Sequence, residues 1–266
     1  MYIVSLNAQN KDGLGGMQMP KTEKNKDEKI KQEKKIKKEK KKEDSKEISN
    51  ELVENITELG TTNIPAQDDK IQILSIIGQI EGHMMLSPQT KTTKYEHVIP
   101  QLIAMERDEK VKGILIVLNT VGGDVEAGLA ISEMIRSVSK PTVSLVVGGG
   151  HSIGIPLATA AKYSFISPSA TMIIHPIRMN GLIIGVPQTF EYFNKMQERI
   201  TEFIIRTSRI DKETVQRLML QTDELLNDMG TILIGKQAVD NGLIDEVGGI
   251  SEALSKLNEM IDMSQL

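Results

Sequence analysis

Blocks of apolar residues separated by short polar segments predict strands and helices from about residue 70 onwards. The run at 111–118 is almost continuously apolar, as expected for a parallel strand buried on both faces. Other strand-type runs lie at 71–80, 141–147, 162–166 and 171–175. Helical spacing of apolar residues is found at 96–106, 124–138, 155–161, 188–206, 211–220 and 251–261. This succession predicts an α/β fold, in which a parallel sheet is connected by helical crossovers.

The first 69 residues have a different character from the rest of the chain. Residues 21–47 carry 13 lysines against 8 acidic residues, whereas the whole chain has a net charge of −4. With few apolar side chains, such a segment cannot bury enough surface to offset the entropy lost on ordering. We therefore expect a disordered extension at 1–69 and one folded domain at 70–266. The interleaved acidic residues favour a solvated tail over a dedicated arm for nucleic acid or anionic lipid.

The composition argues against several classes of site and location. The chain has no cysteine and only four histidines, so we expect no disulfide and no metal centre. The start of the chain does not have the pattern of a secretory signal. No run approaches the roughly 18 apolar residues that a membrane helix needs, so we expect a cytoplasmic protein without a transmembrane segment.

Two glycine-containing turns mark the candidate site. Gly122 and Gly123 follow one predicted strand, and Ser152 lies in the turn 148–154 that follows the next. Because sites in parallel sheets lie beyond the carboxyl ends of strands, these turns are expected to lie side by side. A serine at such a turn is exposed next to backbone N–H groups that can stabilise an oxyanion.

A serine nucleophile requires a base, because its hydroxyl is barely ionised at neutral pH. His175 ends a strand of the same succession and is the predicted base, whereas His151 is expected to point elsewhere. No acidic residue lies between Ser152 and His175 and no histidine follows, which excludes the α/β-hydrolase order of serine, acid and histidine. A triad acid must therefore come later, and the candidates among the downstream aspartates are Asp211, Asp223, Asp228, Asp240 and Asp245.

Several motifs, in order, resemble the proteolytic subunit of Clp protease over about residues 70–260, and most closely its branch of translocation-enhancing proteins. They are Asn119-x-x-Gly122-Gly123, the serine turn, Met172-Ile173-Ile174-His175-Pro176, the long helix, and Ala238-x-x-x-Gly242-Leu243-Ile244-Asp245. The resemblance implies a Clp-protease/crotonase-like fold, a superhelix of repeated β-β-α units with a parallel sheet. It also implies that the helix at 188–206 protrudes as a handle between two rings.

Carried over to this chain, the resemblance makes Ser152 the nucleophile and His175 the general base. The oxyanion donors would be the N–H groups of Ile153 and of Gly123 or Gly122. A substrate would pair as an added strand with the stretch Asn180, Gly181, Leu182, Ile183, Ile184 and Gly185. The family's catalytic aspartate falls at Gly230, so Asp228 is taken instead as the residue that orients His175.

The resemblance further implies a serine endopeptidase that works as a homo-oligomeric ring, a heptamer or double ring. Its substrates would be peptides or small proteins, such as signal peptides in protein export or small spore proteins. The chain has no Walker-type phosphate loop, so ATP-driven unfolding would need an AAA+ ATPase partner. Three alternatives stay open. One is a weak or inactive oligomeric adaptor, because of Gly230; another is a serine–lysine signal-peptide peptidase with Lys162 or another lysine as base. The third is an acyl-thioester enzyme that needs no serine.

Overall fold

The computed structural model describes residues 70–178, 185–222 and 229–264. The chain divides into two units, Met1–Thr61 and Thr62–Leu266, and every described residue belongs to the second unit. The extension expected at 1–69 lies outside the described residues, so its disorder stays a prediction.

The described residues form strands and helices that alternate along the chain, in agreement with the apolar pattern. The strands are β1 (Ile71–Ile77), β2 (Gln79–Glu81), β3 (Thr92–Lys94), β4 (Gly113–Thr120), β5 (Thr142–Gly150), β6 (Tyr163–Ile166), β7 (Thr171–Ile174), β8 (Thr231–Ile234) and β9 (Glu246–Val247). The helices are α1 (Tyr95–Arg107), α2 (Val125–Ser137), α3 (Gly154–Thr159), α4 (Val186–Thr207), α5 (Lys212–Leu220), α6 (Lys236–Asp240) and α7 (Ile250–Ser264).

A mainly parallel sheet organises these elements in the order β1-β4-β5-β6-β9. Strand β7 lies outside this row and pairs in parallel with the C-terminal end of β5, where Gly149 is opposite Thr171, and β8 runs antiparallel to β7. The expected α/β fold with a parallel sheet is confirmed. Because β4 and β5 are neighbours, the turns that follow them emerge at the same edge.

Alternate residues of β4 point into two separate cores, which explains why its sequence is almost continuously apolar. Ile114 and Ile116 enter the larger core, which the helices α1 to α5 also line. Leu115 enters a smaller core on the opposite face, against Leu257 and Ile261 of α7. Burial on both faces is the arrangement that such a run predicts.

The run 71–80, expected to be one strand, is two strands that belong to different sheets. The chain turns at Gly78, which has a φ of +88°, and a Cβ there would lie 2.2 Å from the carbonyl oxygen of Lys91. Strand β1 pairs with β4, whereas β2 pairs with β3 in a small second sheet. The apolar pattern continues through the turn, so periodicity alone does not reveal it.

The long helix α4 differs in burial between its two halves. Near its N-terminus Phe190 and Tyr192 are exposed, whereas Phe203 and Ile204 near its C-terminus are buried in the larger core. The C-terminal half thus anchors the helix beside the sheet. In the described ranges no helix is both long and apolar enough to cross a membrane.

Candidate active site

The turns after β4 and β5 lie against each other. A Cβ on Gly122 would be 2.7 Å from the Cβ of Ser152 and 3.3 Å from its Oγ. Gly122 also has a φ of +90°, a conformation that favours glycine. A side chain at this position would therefore overlap Ser152 as well as strain the backbone.

Ser152 occupies a sharp turn between the end of β5 and the start of α3. Its φ is +57°, and within the described ranges no other non-glycine residue has a positive φ. The Ser152 N–H donates to the carbonyl of Ile173 in β7 at 2.8 Å, and its own carbonyl accepts from the N–H of Ile155 at 3.0 Å. Strained backbone held by surrounding hydrogen bonds is typical of functional turns.

The two glycines of the β4 turn differ in the direction of their N–H groups. The N–H of Gly122 donates to Oγ1 of Thr120 at 3.1 Å, so it is already engaged. Gly123 forms a parallel bridge with Ile80 of β2. The N–H of Ile80 donates to the carbonyl of Gly122, and the carbonyl of Ile80 accepts from the N–H of Asp124. In such a bridge the middle residue's own N–H points away from the partner strand. Gly123 is therefore the better placed oxyanion donor of the two.

Ile153 is buried directly after Ser152 and precedes the first turn of α3. Its side chain packs on Gly128 of α2, where a Cβ would lie 2.3 Å from Cγ1 of Ile153. N–H groups at a helix start have no acceptor within the helix, so the N–H of Ile153 can serve a substrate. Because α3 has six residues, this local N–H rather than a long helix dipole supplies the donor.

His175 follows β7 and is half-buried beside the serine turn. Its Nδ1 lies 2.6 Å from the carbonyl oxygen of Pro176. An Nδ1–H donated to this carbonyl leaves Nε2 as a hydrogen-bond acceptor, the tautomer that a general base needs. His175, Ser152, Gly123 and Ile153 line one cleft with a volume of about 140 Å³.

The remaining walls of this cleft are mainly apolar. They are formed by Val125, Ile155, Ile177, Ile200, Ile204 and Met219, together with Arg178. Among the described residues, no lysine or carboxylate lines the cleft, and no three histidine or acidic side chains lie close enough to hold a metal ion. Such walls suit an apolar side chain of a ligand.

His151, which the sequence predicted to point elsewhere, is not among the residues that line this cleft. Its Nε2 lies 2.8 Å from Oγ1 of Thr171, the first residue of β7. Burial lowers the pKa of His151, and the nearby charge of His175 lowers it further. His151 therefore lies close to His175, although it does not line the cleft.

Several expected site residues lie outside the described residues. Asp228 and the stretch Asn180, Gly181, Leu182, Ile183 and Ile184 are among them. Gly185 is described and forms the N-cap of α4, with a φ of +76°. Its carbonyl accepts from the N–H of Thr189 at 3.0 Å.

Gly230, where the resemblance would place the family's aspartate, directly precedes β8. Thr231, the first residue of β8, pairs with Ile174, the residue before His175. Gly230 has a φ of +137°, which an aspartate would rarely adopt. Its N–H donates to the carbonyl of Gln221 at 2.6 Å.

Lys162 lies at the opposite end of the sheet from Ser152. Its Nζ donates to the carbonyl of Ser139 at 2.5 Å, and its N–H donates to the carbonyl of Thr142, where β5 begins. Ser152 follows the other end of this nine-residue strand, about 25 Å away. Lys162 therefore cannot act as its base.

Sequence reasoning missed three residues that shape the site: Thr120, Ile80 and Thr171. Thr120 and Ile80 fix the glycine turn through contacts that no motif encodes. For Thr171 a signal was present, because residues at 171, 173 and 175 alternate along a strand and share one face.

The fold and the site together define a class of protein: a parallel α/β fold that brings a serine, a histidine and backbone N–H donors to one sheet edge, as in serine hydrolases. The family model for Clp protease matches residues 67–251. The chain belongs to the Clp protease family.

Comparison with individual proteins gives one high and several lower similarities. Translocation-enhancing protein TepA from Halalkalibacterium halodurans is 58% identical over 215 residues, which cover 80% of this chain and 84% of that protein. The ATP-dependent Clp protease proteolytic subunit of Leuconostoc citreum is 26% identical over 162 residues, covering 58% of this chain and 76% of that protein. The ATP-dependent Clp protease proteolytic subunit of Ligilactobacillus salivarius is 27% identical over 168 residues, covering 62% of this chain and 81% of that protein.

Proposed function

We propose that this chain is a serine endopeptidase in which Ser152 is the nucleophile and His175 the general base. The observation that carries the proposal is the strained turn, which holds Ser152 at a cleft that it shares with His175. The N–H groups of Gly123 and Ile153 stabilise the oxyanion. No cofactor takes part.

The reaction proceeds through an acyl-enzyme. Nε2 of His175 accepts the hydroxyl proton as the Ser152 oxygen attacks the peptide carbonyl, and the resulting tetrahedral oxyanion is bound by the two N–H groups. His175 then donates the proton to the leaving amine. A water molecule, activated by the same histidine, hydrolyses the ester and releases Ser152.

The acid of the triad is proposed to be Asp228. It belongs to the segment that leads into β8, and β8 lies alongside the strand that ends at His175. A carboxylate there would stabilise the imidazolium that forms during attack. The Pro176 carbonyl, already 2.6 Å from Nδ1, would contribute to fixing the ring.

The substrates are proposed to be peptides or small proteins bound in an extended form. The apolar cleft supports an apolar residue next to the scissile bond. The stretch from Asn180 to Ile184 would pair with the substrate backbone as an added strand. The name of the similar TepA protein suggests a link with protein translocation, and signal peptides are apolar substrates of this kind.

We further propose that the chain forms a homo-oligomeric ring, a heptamer or double ring, in the cytoplasm. Members of the Clp protease family form rings, and the exposed Phe190 and Tyr192 on α4 give this helix an apolar surface that a second copy could cover. ATP-driven unfolding of larger substrates would come from a separate AAA+ ATPase.

Peptide turnover by the purified full chain tests the proposed function. We expect fluorogenic peptides with an apolar residue at the cleavage point to be hydrolysed by the wild type and by Lys162→Ala. Ser152→Ala and His175→Ala should reduce the rate to background while keeping the oligomeric state. Turnover that survives Ser152→Ala would contradict the proposal, and turnover of acyl thioesters by that variant would favour a crotonase-type enzyme.

A second candidate function is a ring-forming adaptor that lacks chemistry. Gly230 favours it, because the position at which the resemblance places the family's aspartate carries no carboxylate. An adaptor would form stable oligomers without peptide hydrolysis. The same assay separates the two candidates.

A further inference from the structure

His151 connects the serine turn to the strand that carries His175. Its Nε2 lies 2.8 Å from Oγ1 of Thr171, twenty residues further along the chain. The His151 ring packs on Gly149: a Cβ on Gly149 would lie 3.2 Å from Cε1 and Nε2 of His151. Both partners are half-buried, which protects their hydrogen bond from competing water.

The backbone of the same turn makes a second connection to the same strand. Ser152 donates its N–H to the carbonyl of Ile173 at 2.8 Å, so two consecutive turn residues bond to alternate residues of β7. The next residue on that face is His175. The separation of Ser152 from His175 therefore depends on both connections.

We propose that His151, together with Thr171, is a positioning pair that holds the Ser152 turn at the correct distance from His175. This inference rests on the proposed serine-peptidase function and adds a residue to its machinery. Neither side chain touches the reacting atoms. They act by fixing the serine turn against β7, and the neutral ring suits this role because burial disfavours its charged form.

The alternative roles for His151 fit the geometry less well. A general base must have a free ring nitrogen near the serine oxygen, but Nε2 of His151 is bonded to Thr171. The His151–Thr171 link therefore points to positioning.

The test compares Thr171→Val with Thr171→Ser in the full chain. The measured quantity is the second-order rate constant for labelling of Ser152 by a fluorophosphonate. We expect Thr171→Val to lower it about tenfold, near the upper limit for loss of one hydrogen bond. Thr171→Ser, which keeps the hydroxyl, should stay within about twofold of the wild type.

Thr142→Val is the matched control. Its hydroxyl accepts a hydrogen bond from the N–H of Lys162 at the far end of the sheet. Loss of this hydroxyl should leave the labelling rate within about twofold of the wild type. Equal rates for Thr171→Val and Thr142→Val, or a Thr171→Val variant that is less stable but labelled normally, would overturn the positioning role.

A second measurement is independent of reactivity. The chain has four histidines, so ring ¹⁵N signals can be assigned by substitution. In Thr171→Val we expect the signals of both His151 and His175 to shift, whereas Thr142→Val should leave them unchanged. Unshifted signals in Thr171→Val would overturn the inference. If Thr171→Val shifts both signals but Ser152 of the wild type is not labelled by the fluorophosphonate, the proposed peptidase function alone is contradicted.

Discussion

Gly122 and Ser152 face each other across the gap between β4 and β5, with no room for a side chain on the glycine. A Cβ at Gly122 would lie 2.7 Å from the Cβ of Ser152 and 2.9 Å from the carbonyl oxygen of His151. Contact this close brings the glycine turn, including Gly123, next to the Ser152 hydroxyl. The two turns therefore form one unit, and changing either one should change the chemistry.

Gly122→Ala is expected to abolish reactivity. The substitution strains a residue with a φ of +90° and pushes the glycine turn away from Ser152. Loss of an aligned oxyanion donor costs about 10²- to 10³-fold, so labelling of Ser152 by a fluorophosphonate should slow by at least about a hundredfold.

Gly242→Ala is the control, because Gly242 has a similar φ of +74° but contacts the backbone of Arg209 instead. Both variants should lose roughly 1–2 kcal/mol of stability from backbone strain. Only Gly122→Ala should lose reactivity. Comparable labelling rates in the two variants would contradict the assigned geometry.

Gly128→Ala, a substitution in helix α2, is also expected to impair catalysis. The added methyl group would meet Cγ1 of Ile153 at 2.3 Å, so the backbone that carries the Ile153 N–H must shift. Overpacking should cost about 1–3 kcal/mol of stability. Since an oxyanion donor acts in the transition state, kcat should fall about tenfold or more with little change in KM.

Removal of the clash should reverse this effect. In Gly128→Ala/Ile153→Ala the side chain that collides is gone, so kcat should recover relative to Gly128→Ala alone. Gly113→Ala, which crowds Leu257 and Ile261 in the other core, should affect stability without affecting kcat. A Gly128→Ala variant with wild-type kcat would show that Ile153 does not supply the donor.

The apolar pattern predicted the sheet because strands that are buried on both faces, such as β4 and β5, have mostly apolar sequences. It did not predict the break at Gly78, since apolar residues continue on both sides of the turn. Strand β8 was also missed. It is four residues long and pairs antiparallel with β7, so it does not belong to the strand–helix–strand alternation that predicted the parallel strands. Short strands need tertiary partners to be recognised.

For the site, the sequence predicted that Ser152 and His175 lie close together because both follow strands that share one sheet edge, and both line one cleft. The bond between His151 and Thr171 was not predictable, because it joins side chains twenty residues apart. The acid is a different case. Gly230 shows that the usual position carries no carboxylate, but sequence alone does not decide which neighbouring aspartate reaches the histidine.

Asp228→Asn tests the proposed acid. If Asp228 stabilises the imidazolium of His175, kcat should fall by about 10³- to 10⁴-fold with the fold intact. Asp240→Asn serves as the control, since Asp240 pairs with Lys236 on the surface. Equal rates for the two variants would leave the Pro176 carbonyl as the group that orients His175.

His151 should make the protein less stable in acid. Its pKa is lowered in the folded state by burial and by His175, so the unfolded chain binds a proton more readily below the ordinary value of 6.5. Stability from this group is therefore present above that value and is lost as the pH falls towards the lowered pKa.

The measurement is the urea-unfolding free energy one unit above and one unit below pH 6.5, for the wild type and for His151→Gln. The difference between the two pH values should be smaller in the variant, because its side chain does not titrate. A His151→Gln variant with an unchanged difference would contradict the lowered pKa.

The central claim is that Ser152 is a nucleophile activated by His175. Fluorophosphonate labelling of the full chain, with the modified peptide identified by mass spectrometry, tests it most directly. We predict labelling at Ser152 in the wild type and in Lys162→Ala, and none in Ser152→Ala or His175→Ala. A well-formed oligomer that is not labelled, or labelling of Ser152 that does not depend on His175, would contradict the claim.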